Sequence, residues 1–413
     1  MKKNAFYAQS GGVTSVINAT ASAVILEARK SSKIGKVYAG KNGILGALRE
    51  ELIDTSKESK KFIESLQVRP GGVFGSCRYK LKSIEENLNE YERLIEVFKA
   101  HNIGYFFYNG GNDSADTALK ISQISHRLNF PLQCIAIPKT VDNDLAVTDC
   151  CPGFGSVAKY VVTSTIEAAL DVESMYESST KVFILEVMGR HAGWIAGSSC
   201  LAQKSHPGAP HIILLPEVTF NQAKFLAKVK ETVKKNNFCV VVASEGIKNS
   251  KGKFIAESDS KDAFGHSQLG GVAPRLANLI NKKLKLKNHW AVADYLQRSA
   301  SHLSSGTDRA HAYEVGKKAV LYAAEGLNGV MPVIKRKSSM PYKWEVVPAP
   351  LTKIANVEKK IPAGFISKDG FGMTKKAHSY FQPLIEGKIG ELKNINYQAG
   401  KMQMVSKKLK AWR

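Results

Sequence analysis

Short apolar runs alternate along this chain with longer stretches of helical period. Residues 5–8, 105–108, 134–137, 182–187, 212–215 and 238–243 are apolar runs, and each ends in or runs into Gly, Pro, Ser or Asp. Apolar runs without alternation suit strands covered on both faces, as in parallel sheets. The stretches between them carry helical spacing. A helix is predicted over about 14–30 after a first glycine turn, and Ala115, Ala118, Leu119 and Ser122 continue as a helix after another. The alternation predicts an α/β fold with helices on both faces of a mainly parallel sheet.

Length sets the number of lobes. At 413 residues the chain can bury a large core and is expected to form two lobes. Composition shifts near Met331, where Lys335, Arg336, Lys337, Ser338, Ser339 and Pro341 precede Pro348 and Pro350, which reads as a connection into a C-terminal segment. No internal repeat interrupts the pattern.

Charge narrows the partners. Against 36 acidic residues stand 59 basic ones, a formal charge of +23 that calls for nucleic acid, an anionic membrane surface or small phosphorylated metabolites. The lysines are scattered, apart from residues 282–287 and the tail Lys407, Lys408, Lys410 and Arg413, so they read as solvated surface. Without a helix-turn-helix or an aromatic-interleaved basic motif, no nucleic-acid partner is expected. No stretch approaches a membrane span, so no membrane partner is expected either. The apolar stretch after Met1, Lys2 and Lys3 is too short for a signal peptide. Six cysteines (Cys77, Cys134, Cys150, Cys151, Cys200, Cys239) lack CxxC or framework spacing, which fits reduced thiols in a cytoplasmic protein.

The densest chemistry lies in residues 137–144, IPKTVDND, at the end of an apolar run. In open α/β sheets, ligands bind at the carboxyl ends of strands. A lysine beside two carboxylates suits work on a phosphate: the cation neutralises an oxyanion, one carboxylate takes a proton, and the other helps hold a metal. Three glycine-rich turns add to this signal: Ser10-Gly11-Gly12, Gly71-Gly72-Val73-Phe74-Gly75-Ser76 and Gly110-Gly111-Asn112-Asp113-Ser114. Glycines let backbone N–H groups approach and cradle oxyanions. Two other matches are weak. Gly35, Gly40 and Lys41 imitate a P-loop, but Asn42 replaces the required hydroxyl; Gly153-Phe154-Gly155-Ser156-Val157-Ala158 reads as an ordinary tight start of a helix.

Taken together, these blocks resemble the phosphofructokinase family, with further matches at Glu186-Val187-Met188-Gly189-Arg190, Ser244-Glu245-Gly246 and Tyr295-Leu296-Gln297-Arg298. The resemblance covers about residues 6–330. It implies two three-layer αβα lobes with mainly parallel sheets and an active site in the cleft between them. Residues 1–157 with about 296–335 would form the larger, donor-binding lobe and about 158–295 the sugar-phosphate lobe. Residues 336–413 would pack on the second lobe. The implied reaction phosphorylates the 1-hydroxyl of fructose 6-phosphate with Mg²⁺ as cofactor.

Residue by residue, the resemblance makes Asp142 the general base and Arg78 a clamp on the transferring phosphoryl group. Gly12, Gly111 and Lys139 would bind diphosphate; Asn112 and Asp144 would hold the metal. Thr140, Val141, Met188, Gly189, Arg190, Glu245, Tyr295, Leu296, Gln297 and Arg298 would line the sugar-phosphate site. Lys181 would reach a neighbouring subunit's site, implying a homodimer or homotetramer. His191 reads as structural.

Two positions bear on the donor. Where ATP-using members have glycine, this chain has Lys139, and where they usually have glycine it has Asp113. Lys139 resembles the pyrophosphate-using branch; Asp113 would repel a nucleotide's α-phosphate. The chain also departs from the family: Asn112 stands where many members have aspartate, Lys181 where they have arginine, and near His289 no second such arginine is found. Gly265-His266-Ser267-Gln268-Leu269-Gly270-Gly271 imitates the substrate motif less well than residues 295–298 do. The alternatives are another sugar phosphate such as sedoheptulose 7-phosphate, ATP as donor, an NAD or lipid kinase (which lacks the PKTxDND run), or a non-catalytic binder, against which Asp142 and Asp144 argue.

Overall fold

Successive residues of the first strand face different cores, which is why its apolar run does not alternate. The computed structural model describes residues 2–205, 208–261, 267–269, 271–387 and 403–409. Ala5 and Tyr7 pack with Val24, Ile25, Val315 and Ala319 on one face of the sheet. Phe6 and Ala8 pack with Leu94, Phe98, Phe106 and Ala118 on the other. Burial on both faces favours side chains that need no water, and a parallel sheet between helices follows.

The strands in chain order are β1 (Lys3–Ser10), β2 (Ile34–Gly40), β3 (Leu52–Asp54), β4 (Ser76–Cys77), β5 (Ile103–Gly110), β6 (Gln133–Pro138), β7 (Val182–Val187), β8 (Ile212–Leu214), β9 (Cys239–Ser244), β10 (Glu257–Lys261), β11 (Ser267–Leu269), β12 (Asn288–Val292), β13 (Val330–Ser339) and β14 (Tyr342–Pro350). One sheet has the order β14-β13-β6-β5-β1-β2-β3, with β4 beside the end of β1; a second has the order β12-β7-β9-β8 and is wholly parallel. Strands β10 and β11 form a separate antiparallel pair. The protein is thus an α/β molecule with two mainly parallel sheets. Predicted strands at 5–8, 105–108, 134–137, 182–187, 212–215 and 238–243 correspond to β1, β5, β6, β7, β8 and β9. The first helix begins at Ile17 rather than 14.

Helix Gly306–Ala324 lies on helix Ile17–Lys30 of the first lobe. The approach is close: a Cβ on Gly316 would stand 2.6 Å from the Thr20 carbonyl oxygen. The segment after residue 336 is shared between the lobes rather than packed on the second alone. Strand β14 pairs antiparallel with β13 and extends the first sheet. Residues 403–409 return to the same lobe, where Val405 N–H donates to the Leu52 carbonyl and the Glu50 carboxylate accepts from the N–H groups of Lys408 and Leu409. In between, Phe381 of helix Lys375–Phe381 packs against Trp194 of the second lobe, ring centroids 6.2 Å apart. The reason is hydrogen bonding: β13 and β3 offer open edges that satisfy an incoming strand's backbone.

The P-loop imitation dissolves in the structure, because Gly35 and Gly40 lie within β2. Gly265, His266 and Gly270 of the substrate-motif imitation, and Lys410 and Arg413 of the tail, lie outside the described residues. Among the described residues, no helix is long and apolar enough to cross a membrane.

Candidate active site

The carboxyl ends of both sheets face one cleft. From the first sheet come Gly11 and Gly12 after β1, Gly111, Asn112 and Asp113 after β5, and Lys139, Thr140, Val141, Asp142 and Asp144 after β6. The second sheet contributes Met188 and Arg190 after β7, Glu245 after β9, and Tyr295 and Arg298 beyond β12. The cleft holds about 540 Å³, within the range that small-molecule sites occupy.

Glycines seat the cations. Gly11 has φ +73°, a conformation few other residues adopt, and a Cβ there would stand 3.3 Å from Lys139 Nζ. A Cβ on Gly12 would meet Arg298 Nη1 at 2.3 Å and Arg78 Nη2 at 3.7 Å. Lys139, Arg298 and Arg78 therefore converge on one bare stretch of backbone. The loop carrying Arg78 is held by a residue that sequence reading missed. Buried Asn18 donates to the carbonyls of Arg69 and Gly71 and accepts from Val73 N–H and Gln9 Nε2. Asn18 lies in the first turn of the first helix without local oddity, so no sequence signal marked it.

The sugar-side turn at 188–190 is pinned from two directions. Gly189, with φ +133°, donates to Glu245 Oε1 at 3.3 Å and offers its carbonyl to the Ser244 hydroxyl at 2.5 Å. Met188 N–H donates to Gln297 Oε1 at 3.3 Å, and Gln297 Nε2 donates to the Asp294 carbonyl. Gln297 is thus buried scaffolding. Its neighbour Leu296 is 65% exposed and, like Gln297, stands outside the cleft lining. The Arg298 guanidinium stacks 3.7 Å from the Tyr295 ring centroid, which fixes its plane. Lys181 sits at the opposite end of β7, its ammonium 5.2 Å from the Tyr176 ring, and does not join this chain's cleft.

Electrostatics at the centre are those of a dry, crowded site. Burial lowers the Lys139 ammonium to about 8, against the pull of Asp142, with Arg78 and Arg298 pushing the same way as burial. Burial first, then Glu245, raises the Asp142 carboxyl, while Lys139, Arg78 and Arg190 hold it down. Asp144 is raised by burial and by Asp142. Asp113 forms an ion pair with Lys80 at 2.7 Å, so part of its charge is already answered.

The donor set fits a magnesium ion shared with substrate. Mg²⁺ is usually held by one or two carboxylates, phosphate oxygens and water. Asp144 supplies such a carboxylate, and burial next to Asp142 leaves charge for a cation to offset. Among the described residues no three His, Cys, Asp or Glu side chains gather into a protein-only cage. Asn112, expected beside Asp144, turns its amide elsewhere: its oxygen accepts from Asn356 N–H at 2.5 Å and its nitrogen donates to the Val357 carbonyl at 2.8 Å. A metal contact there would have to share an oxygen already engaged.

Two further charged lining residues escaped the sequence, Asp294 and Glu358. Glu358 belongs to a segment more than two hundred residues away from the donor turns, beyond any local motif. Conversely, the Gly153–Ala158 start of a helix is occupied by a carboxylate of the same chain. Asp308 fills it, accepting from Gly153 N–H at 2.9 Å and from the N–H and hydroxyl of Ser156.

Comparison with known proteins agrees with this geometry. The family model described as Phosphofructokinase matches residues 4–323. A pyrophosphate–fructose 6-phosphate 1-phosphotransferase of Xanthomonas campestris pv. campestris is 59% identical over 99% of both chains. One of that name from Methylococcus capsulatus is also 59% identical, covering 93% of this chain and 92% of its own. The crystal structure of a pyrophosphate-dependent phosphofructokinase from Nitrosospira multiformis superposes with a TM-score of 0.91 at 55% identity, covering the whole of both chains.

Proposed function

The chain belongs to the phosphofructokinase family, and we propose from that premise how its own residues carry out the reaction: reversible phosphoryl transfer from pyrophosphate to the 1-hydroxyl of fructose 6-phosphate. Asp142 accepts the proton of the sugar hydroxyl as that oxygen attacks the near phosphorus of pyrophosphate. Lys139 neutralises the donor and the departing phosphate, and the N–H groups around Gly12 and Gly111 cradle it. Arg78 steadies the phosphoryl group in flight. Magnesium, held by Asp144 and donor oxygens, would supply charge neutralisation across the diphosphate. On the acceptor side, Thr140, Met188, Arg190, Glu245, Tyr295 and Arg298 orient the sugar phosphate for in-line attack. Leu296 and Gln297 are carried as backbone of that motif, with Gln297 positioning Met188.

The observation that carries the donor assignment is Lys139, whose ammonium sits over the bare backbone of Gly11. A coupled assay should show turnover with pyrophosphate and almost none with ATP; the reverse preference would overturn the assignment. The pH dependence follows from the same group. With its pKa lowered to about 8, Lys139 is charged below that pH and loses its charge above it. The kcat/KM for pyrophosphate should therefore fall above about pH 8, and Lys139→Arg should move that limb upward at some cost in maximal rate. Rates measured against pH at saturating fructose 6-phosphate check both.

Gly12 offers a test of the arginine seat. A methyl group there would overlap Arg298 Nη1, so Gly12→Ala should displace the guanidinium without unfolding the turn. We expect kcat/KM for fructose 6-phosphate to drop by roughly 10- to 100-fold, measured by initial rates. An unchanged value would remove Arg298 from the acceptor site.

A homodimer or homotetramer fits the chain best. Lys181 lies away from its own cleft, and Trp290, Tyr295 and Leu296 expose large apolar surface around edge strand β12. The enzyme is proposed to work in the cytoplasm, where its phosphorylated substrates and reduced thiols both belong.

A further inference from the structure

We propose that Glu358 and His191 form a clasp across the cleft, and that Glu358 is a positioning residue for the sugar phosphate. The inference rests on the reading of residues 188–190 as acceptor contacts. His191 Nδ1 and Glu358 Oε1 are 2.6 Å apart, and both residues line the cleft.

The segment carrying Glu358 is held mainly from the donor side, and Trp194 Nε1 donates to the Lys359 carbonyl at 2.9 Å from the other. Glu358 is fixed to the donor lobe through its backbone neighbours. Asn356 N–H and the Val357 carbonyl clip the Asn112 amide, and Asn356 Nδ2 donates to Asp116. Glu358 itself bridges antiparallel to Leu145, and Lys359 N–H donates to the Asp144 carbonyl at 2.6 Å. The Lys359 ammonium then ties to the carbonyls of Thr148 and Asp149. His191 follows the turn at Gly189 and Arg190 directly, and its ring stacks on Phe254, centroids 6.3 Å apart and planes within 10°.

Further ties on that turn come from Ser244, Glu245 and Gln297. The Glu358 bond reaches it from the donor side. Both side chains are more than a third exposed, so the pair contributes little to stability as a charge pair. Its consequence is geometric: it sets where Met188 and Arg190 stand relative to Asp144 and the metal-diphosphate.

Steady-state kinetics on the full-length enzyme test the clasp. Glu358→Ala and His191→Ala should each raise the KM for fructose 6-phosphate by about 5- to 20-fold, leaving the dependence on pyrophosphate and Mg²⁺ close to that of the unaltered enzyme. The double variant should be no worse than either single one, because both remove the same bond. Glu358→Gln, whose amide oxygen accepts from the same ring N–H, should recover most of the affinity lost in Glu358→Ala. Additive effects, an unchanged KM for the sugar, or a rise in the Mg²⁺ requirement instead would overturn the proposal, the last by making Glu358 a metal ligand. An unaltered enzyme inactive on these two substrates would defeat the functional reading itself, whereas an active one without this pattern defeats the clasp alone.

Discussion

Asp142→Ser is expected to lower turnover by about 10²- to 10⁴-fold while leaving the affinity for fructose 6-phosphate near its original value. The loss follows from the proton. As the sugar hydroxyl attacks phosphorus, its proton needs an acceptor, and serine is far too weak a base. Affinity survives because the loop does not depend on this side chain. Asp142 N–H donates to the Thr140 hydroxyl at 3.1 Å, and the neighbouring Asn143 side chain accepts from Cys151 N–H, so the backbone keeps its course in the variant. Burial raises the Asp142 carboxyl, making it a stronger base than an exposed carboxylate, while Lys139, Arg78 and Arg190 keep it from staying protonated. Initial rates in both directions of the reaction, with sugar binding followed separately, check the result. Near-normal turnover would remove Asp142 from the role of base.

Lys139→Met should cost about 10²- to 10³-fold in kcat/KM for pyrophosphate, the scale of losing one preorganised charge at a transferring phosphoryl group. Methionine keeps the length and apolar stem and removes only the ammonium, so packing is little disturbed in this buried position. ATP turnover should not appear in this variant, since Asp113 still places a carboxylate on the nucleotide's path. Combining Lys139→Gly with Asp113→Gly removes both obstacles, and measurable ATP turnover is expected there. Asp113 is paired with Lys80, so removing it alone leaves the side chain at 139 as an obstacle, and both changes are needed. Assays with each donor at equal Mg²⁺ decide it. Pyrophosphate turnover that survives Lys139→Met intact would end the assignment.

Much of this site was legible before any fold was known. Residues 10–12, 110–114 and 139–144 announce themselves because strand ends, glycine turns and charged clusters are local in sequence. Each of these turns follows its apolar run directly, and the structure brings them to one cleft. Period and turn chemistry act over a few residues, so they can be read a few residues at a time. Other assigned residues stand outside the cleft lining or have their polar atoms engaged, for a related reason. Leu296 and Gln297 sit inside a motif whose neighbours face the cleft, but a helical turn sends adjacent side chains to different sides. The resemblance made Asn112 a metal ligand, and nothing nearby hinted that residues 356 and 357 would engage its amide.

By itself, then, the amino-acid order determined the α/β alternation, the glycine-rich turns at the strand ends, and the lysine and aspartates gathered beside them. The tertiary structure alone decided which carboxylate fills the Gly153 turn, how Asn18 holds the Arg78 loop, how the C-terminal chain divides between the lobes, and that Glu358 meets His191 over the cleft. These contacts join residues from about 50 to nearly 250 positions apart. Such pairings emerge only when packing has closed the intervening chain, a collective event that no local pattern of residues encodes.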